Sequence, residues 1–326
     1  MGLIILFALL STTTFAQILE QAECTPTDIR ATNPKIQSNP EMVKFFSTPR
    51  DQGSIGWCYA FASADLLSAE IGQPVSGMHA AIINNVSQKK KITASLGIGR
   101  GNKSFDEVYE AGVPKDTINE IVKNGYICSE KDLPYDSAYT DQVYHLIKAL
   151  ENFKSYDMNE AQLCHQMEFF VDTHDLSIDA KVIAKSLMED NLNQTLEKIS
   201  IQQCKNKMLP VPKLTTKTTL VPKVGKKSAK NFLGDTNAIL DQGKPIEITY
   251  NIKHYLYEGM KGWHSSVLIG RRWHKGVCQY QIRNSWGQSC ELYNSKVECD
   301  LRSGTFWVND ELFVKATTHT RHIPNR

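Results

Sequence analysis

Apolar positions fall at helical spacing in the first half of the chain and alternate in strand fashion in the last third. Ala60, Ala64, Leu67 and Ile71 share one helical face, and Gly72 and Pro74 stop the run, so a helix is expected over Trp57–Ile71. Ile118, Ile121 and Val122 predict a second helix over Lys115–Lys123, ended by Gly125, and Leu133-Pro134-Tyr135 opens a turn. From Asp141 to about Met208 the pattern is helical and amphipathic, with a hydrophobic stripe read as core. Ile246, Ile248 and Tyr250 alternate as in a half-buried strand, and Ser265–Ile269, Tyr280–Arg283 and Gly304–Val308 read as further strands. Three stretches lack a period. Gln17–Thr48 reads as an extended arm, Ser87–Ser104 as a basic loop, and Pro210, Pro212 and Pro222 mark a linker-like stretch ending near Lys230. Helices followed by strands predict an α+β fold with segregated lobes.

The first sixteen residues stand apart. Leu3–Leu10 is a short apolar run, followed by the small polar residues Ser11–Thr14 and then Ala16, the shape of a secretory signal peptide over 1–16. The run is too short to span a bilayer, and no later segment is long and apolar enough, so a soluble, exported mature protein is expected, secreted or periplasmic. Composition adds little: 41% hydrophobic, 22% charged and a net charge of +2 describe an ordinary globular chain. That charge gives no reason to expect nucleic acid or an anionic membrane surface as partner, and the lysines at 89–91 and at 223, 226 and 227 read as solvated. Eight cysteines suit export. Cys290 with Cys299 and Cys164 with Cys204 are candidate pairs, which spacing alone does not fix. With no C-x-x-C pair and no histidines at ligand spacing beside them, no zinc site, and no other metal or cofactor, is implied. Asn85, Asn102 and Asn193 sit in N-x-[ST] sequons.

The chemically informative stretch is Asp51-Gln-Gly-Ser-Ile-Gly-Trp-Cys-Tyr-Ala-Phe-Ala-Ser-Ala64. It places Cys58 at the first turn of the expected helix, where unpaired N–H groups and the helix dipole stabilise a thiolate. Gly53 and Gly56 allow a tight turn, and Gln52 is placed to donate from its side-chain amide to an oxyanion beside the Cys58 amide. A nucleophilic thiolate needs a base. Of nine histidines, His264 opens a predicted strand, and Asn284 lies twenty residues on, in Tyr280-Gln-Ile-Arg-Asn-Ser-Trp-Gly287. Cys58, His264 and Asn284 are the candidate nucleophile, base and orienter, with Trp286 as a shield over the last pair.

These blocks resemble the papain family of cysteine peptidases. Asp51–Phe61 resembles its D-Q-G-x-x-G-x-C-[WY]-A-F block, His264–Gly270 its histidine strand, and Tyr280–Gly287 its Y-x-x-x-N-S-W-G block. Glu110-Ala-Gly112 with Gly125 and Leu133-Pro134-Tyr135 is a weaker match to the stretch that lines the family's substrate cleft, and Asp241–Asn251 resembles the strand that opens the second lobe. The resemblance covers about 40–135 and 230–315. It implies a two-lobed papain-like fold, with a helical N-terminal lobe, an antiparallel β-barrel-like C-terminal lobe and, in this chain, a mainly helical insertion at about 136–230 within a peptidase domain over 17–326. It also implies endopeptidase activity, with Cys58 as nucleophile, His264 as base and acid, Asn284 as its orienter, Gln52 as oxyanion donor and Ala111 and Gly112 as backbone partners of an extended peptide. The partner expected is a protein or peptide substrate.

The sequence departs from the family in several places. Ile55 stands where the family has a disulfide cysteine, and Trp57 replaces a small residue, so its ring is expected to narrow the cleft. His264 follows Cys58 by 206 positions, against about 130–150 in the family. The segment between the leader and Gln52 is too short for the family's inhibitory propeptide. Ala111 replaces a glycine. An amidase, transpeptidase or peptidoglycan-cleaving enzyme on the same residues, and an inactive papain-like binding module, are the alternative readings.

Overall fold

The computed structural model describes residues 18–96, 111–135, 149–153, 158–173, 179–189, 192–204, 207–222 and 225–325. The expected leader, the sequon at Asn102 and residues 136–148 lie outside them.

The N-terminal segment is not an extended arm. It folds as a short strand, β1 (Thr27–Asp28), and three short helices, α1 (Ile29–Thr32), α2 (Pro34–Gln37) and α3 (Pro40–Ser47). Asp28, Asn33 and Asn39 each accept a hydrogen bond from a first-turn backbone N–H, and Pro34 and Pro40 stand at the first helical position. An Asn-Pro pair is therefore a helix start here, because the amide caps the turn and proline lacks the N–H that would go unpaired. Ile29, Ile36, Met42 and Phe46 are buried by these helices.

Helix α4 (Cys58–Ile71) is buried from Tyr59 to Ala69 and stops at Gly72, whose φ of +81° is open to glycine without strain. It lies between two cores. Ala60, Ala64 and Leu67 join the first, and Ala62 and Ala69 the second, so the helix carries apolar residues on opposite sides, as a central helix does, with Ser63, Asp65 and Ser68 buried among them. Helix α5 (Gly77–Leu96) carries the chain through Ser87 and Lys89–Lys91, where a loop was expected. Lysine is a good helix former and nothing between Gly77 and Leu96 breaks the run. Helix α6 (Pro114–Asn124) ends at Gly125, also left-handed, and β2 (Tyr126–Ile127) follows.

Helices α7 (Glu160–Thr173), α8 (Ala180–Glu189) and α9 (Leu192–Cys204) then build onto the first core. Leu163, Met167, Ile183, Leu187, Leu196 and Ile199 share one cluster with Leu67, Ile82 and Ile121. The hydrophobic stripe of this region is thus core, and the region completes the first lobe. The Cys128–Cys204 disulfide ties it to the segment after β2. That bond corrects the expected pairing of Cys164 with Cys204, while Cys290–Cys299 does form, and Cys24–Cys278 joins the N-terminal segment to the sheet. Cys58 and Cys164 stand outside disulfides. Asn85 and Asn193 are buried, so neither sequon is open to modification in the folded chain.

The Pro-containing stretch after α9 is also more ordered than a linker. It contains β3 (Leu209–Pro210), paired with β2, and β4 (Lys217–Leu220), an edge strand in a threonine-rich run. Helix α10 (Lys226–Asp241) starts before the expected end of the linker. The second lobe is an antiparallel sheet of β5 (Ile246–Asn251), β6 (Trp263–His274), β7 (Val277–Arg283), β8 (Glu298–Asp300), β9 (Thr305–Asn309) and β10 (Thr317–His322), with α11 (Asp310–Ala316) before the last strand. The order runs β4-β10-β5-β6-β7-β9-β8, with β1 added to β6. Ile246, Ile248, Tyr250, Leu268, Ile282 and Phe306 supply its core. The whole is α+β, and α4 lies across β5 and β6 where the two lobes meet.

Candidate active site

Cys58 is the first residue of α4 and is half-buried. The turn before it is held by Asp51, whose Oδ1 accepts from the Gly53 N–H at 2.8 Å, and by Gly53 at a φ of +58°. Trp57 does not narrow a cleft. Its ring is fully buried and packs 6.0 Å from Tyr135, because the turn at the helix start sends this side chain inward. Ile55 is buried as well.

His264 lies on β6, and Asn284 directly follows the neighbouring strand β7. His264 Nε2 lies 2.7 Å from Asn284 Oδ1. The orientation of the amide is fixed from several sides. Asn284 Oδ1 also accepts from Ser266 Oγ at 3.0 Å and from the Ser285 N–H at 2.8 Å, and Asn284 Nδ2 donates to Tyr293 Oη at 2.6 Å. An oxygen facing His264 requires the proton on Nε2, which leaves Nδ1 as the basic nitrogen. Trp286 covers the imidazole at 4.3 Å between ring centres, and Tyr250 meets it edge-on at 5.6 Å. His264 and Asn284 are both buried.

Segments far apart in the chain are locked together here. Gln52 N–H donates to Ser285 O at 2.8 Å, and Ser285 Oγ donates to Gln52 Oε1 at 2.6 Å. Asp51 and Trp286 form a bridge, and the Gly287 N–H donates to Arg50 O at 2.7 Å. With its oxygen pinned, Gln52 Nε2 gives one hydrogen to Ile55 O at 2.8 Å and keeps the other. Tyr135 Oη donates to Gln52 O at 2.8 Å, so the first lobe supports the same residue.

Below the site runs a buried charge network between the lobes. Asp65 on α4 accepts from Arg50 at 2.8 Å and from Arg283 at 2.9 Å, and Arg50 also reaches Glu130 at 2.6 Å. Arg283 immediately precedes Asn284.

The electrostatics of the thiol and the imidazole are set chiefly by burial. It pushes the Cys58 thiol up, against the stabilising backbone N–H groups of Ser265 and Tyr59. It pulls His264 down to about 4, with the Asn284 bond opposing. Burial thus disfavours the charged form of both groups. The Cys58 thiol is close to the backbone of Ser265, the neighbour of His264 at the start of β6.

Gly112 is half-buried over the ring of Tyr59, and Ala111 beside it is exposed. A Cβ on Gly112 would lie 2.5 Å from that ring. Gly112→Ala is therefore expected to cost about 1–3 kcal/mol by overpacking, read as a lower urea midpoint at unchanged m-value. An unchanged midpoint would mean that Tyr59 yields freely. Sequence reasoning missed Ser266, Tyr293, Tyr135 and Tyr250. Ser266 carried a signal, since it lies two positions after His264 on the same face of one strand. Tyr293 sits in an irregular loop and carried none. Among the described residues no three His, Cys, Asp or Glu side chains are grouped to hold a metal ion.

No family model and no curated protein matches the sequence. Solved structures similar to the chain include digestive procathepsin L 3 of the Tenebrio molitor larval midgut, 13% identical with a TM-score of 0.42, over 92% of this chain and 69% of that one. Another comes from the study of limited antibody cross-reactivity between the mite allergens Blo t 1 and Der p 1, 12% identical with a TM-score of 0.45, over 97% of this chain and 74% of that one.

Proposed function

We propose that the chain is an exported cysteine endopeptidase that cleaves peptide bonds through an acyl-enzyme on Cys58. The observation that carries this is the 2.7 Å bond from His264 Nε2 to Asn284 Oδ1, with the amide orientation fixed on both sides. It leaves Nδ1 as the proton acceptor beside a thiol at a helix N-terminus. In the first half-reaction, Cys58 Sγ attacks the scissile carbonyl and its proton passes to His264 Nδ1. The oxyanion lies by the Cys58 N–H and the remaining Gln52 Nε2 hydrogen. His264 returns the proton to the leaving amine as the C–N bond breaks, and a thioester remains. In the second half-reaction, water gives a proton to His264 and attacks the thioester, the C–S bond breaks to release the carboxylic acid, and His264 returns its proton to Cys58 Sγ. Ala111 and Gly112 are the backbone partners of an extended substrate, and Trp286 is its neighbour beside His264. Export is supported by the leader-like residues 1–16 and by the three disulfides, which persist in oxidising compartments. No helix among the described residues is long and apolar enough to cross a membrane.

The test is acid quenching during turnover of a peptidyl ester, followed by intact and peptide mass analysis. An acyl adduct on Cys58 that decays to free acid supports the peptidase. Diversion of most acyl groups to an added amine would point to a transferase, and absence of any adduct would remove the acyl-enzyme.

The pH dependence follows from the state of the base. His264 must be neutral to accept the thiol proton, so activity is present above its pKa and lost as pH falls through it. Burial places that loss near pH 4, well below the usual value for histidine of about 6.5. A kcat/KM profile whose acid limb lay near 6.5 would contradict His264 as the buried base.

A further inference from the structure

The face of the sheet turned away from Ile246, Ile248 and Tyr250 carries a second polar set that the proposed reaction does not use. In the strand ladders Arg321 lies opposite Glu247, and both His319 and Ser265 lie opposite Thr249. Opposite residues share a face, so these five side chains line one patch. Glu247 is fully buried. Its Oε1 accepts from Thr249 Oγ1 at 2.7 Å and its Oε2 from Arg321 Nη1 at 2.8 Å, and the Ser265 hydroxyl also donates to it. Thr249 Oγ1 and Ser265 Oγ are 3.3 Å apart, and Arg321 Nε is held from its far side by Thr218 Oγ1 at 3.2 Å. Ser265 is the residue whose N–H meets the Cys58 thiol. A buried ion pair of this kind adds little net stability over an apolar pair of similar volume. Its place behind the thiol offers another use.

We propose that Glu247 is a positioning residue for the reaction: held by Arg321, it fixes Thr249 and Ser265 against the Cys58 thiol and places a carboxylate behind it. This rests on the reading of Cys58 as nucleophile. The negative charge of Glu247 opposes ionisation of the thiol, against the pull of the Ser265 and Tyr59 N–H groups. Arg321 and His319 from β10 share its face of the sheet, and Cys58 at the start of α4 is near enough to feel its charge. Burial raises the Glu247 carboxyl to about 7, with Arg321, Thr249 and Ser265 acting the other way. As pH falls through that value the carboxyl takes up a proton, and the thiol behind which it sits becomes easier to ionise.

The experiment is the pH dependence of Cys58 alkylation by iodoacetamide in the full chain, read by peptide mass mapping. In Glu247→Gln the alkaline midpoint is expected to move down by about one pH unit, the size of a single nearby charge. Glu247→Asp keeps the charge and is expected to stay near the parent midpoint. The double variant E247Q/R321M removes the unpaired arginine, guards against misfolding, and is expected to shift in the same direction. Lower stability with an unmoved midpoint in folded E247Q or E247Q/R321M, while Cys58 still reacts, would overturn the role of Glu247 and leave the nucleophile standing. A Cys58 inert at every pH would overturn both.

Discussion

Replacing Cys58 with alanine is expected to lower kcat/KM toward a peptidyl amide by at least about 10⁴-fold, with little change in thermal stability. The size follows from chemistry. Removing the nucleophile of a triad leaves only binding and oxyanion stabilisation, and the remaining members cannot act without it. The small stability effect follows from place. Cys58 is half-buried at the first turn of α4, and alanine fits a helix better than cysteine does. Loss of Gln52 is expected to be milder, since a single oxyanion donor is worth about 10²–10³-fold. A Cys58→Ala protein that kept even one hundredth of parental turnover would mean that another group attacks the substrate.

Replacing Arg283 with methionine is expected to destabilise the fold by about 3–5 kcal/mol, the cost of breaking one side of a buried ion pair. The Arg283 side chain is 1% exposed and donates to Asp65 at 2.9 Å. It also donates to Thr48 O at 2.7 Å and lies over the rings of Phe45 and Phe46. Without it, Asp65 keeps only Arg50 in a dry interior. Urea unfolding measures the effect, and pairing the change with Asp65→Leu is expected to restore part of the loss, because no carboxylate is then left behind. A destabilisation under about 1 kcal/mol would show that Arg50 alone satisfies Asp65. Since Arg283 ties Asp65 on α4 to the residue that follows it, Asn284, the same variant is expected to lose activity beyond its loss of folded protein.

The parts of the molecule legible in the sequence are those set by local chemistry. Gly72 and Gly125 ended their helices as expected, since both positions need a left-handed residue. Strands β5, β6, β7 and β9 were plain because each carries apolar residues at core positions, whereas β10, Thr-Thr-His-Thr-Arg-His, carries none and gave no signal. The N-terminal segment reads as an arm because it lacks a sustained period, while its helices are too short to show one and are started by the pairs Asn33-Pro34 and Asn39-Pro40. The run through Lys89–Lys91 was misjudged from its charge. Other features depend on partners distant in sequence. Cys204 pairs with Cys128 rather than Cys164 because of how α9 lies on the first lobe. Trp57 faces the core because of the turn at Gly53, which spacing does not reveal. Glu247 and Arg321 meet only through the register of β5 and β10, and the bond from Asn284 to Tyr293 comes from an irregular loop.

The central claim is that Cys58 is an active nucleophile in a cleft that accepts an extended peptide. Labelling the folded mature chain with an epoxysuccinyl peptide, followed by peptide mass mapping, tests it most directly. Cys164 on α7 is the other described cysteine outside a disulfide and serves as the internal control. Modification confined to Cys58, and lost in Cys58→Ala, is the result predicted. Labelling of Cys164 alone, or none in a folded protein, would contradict it.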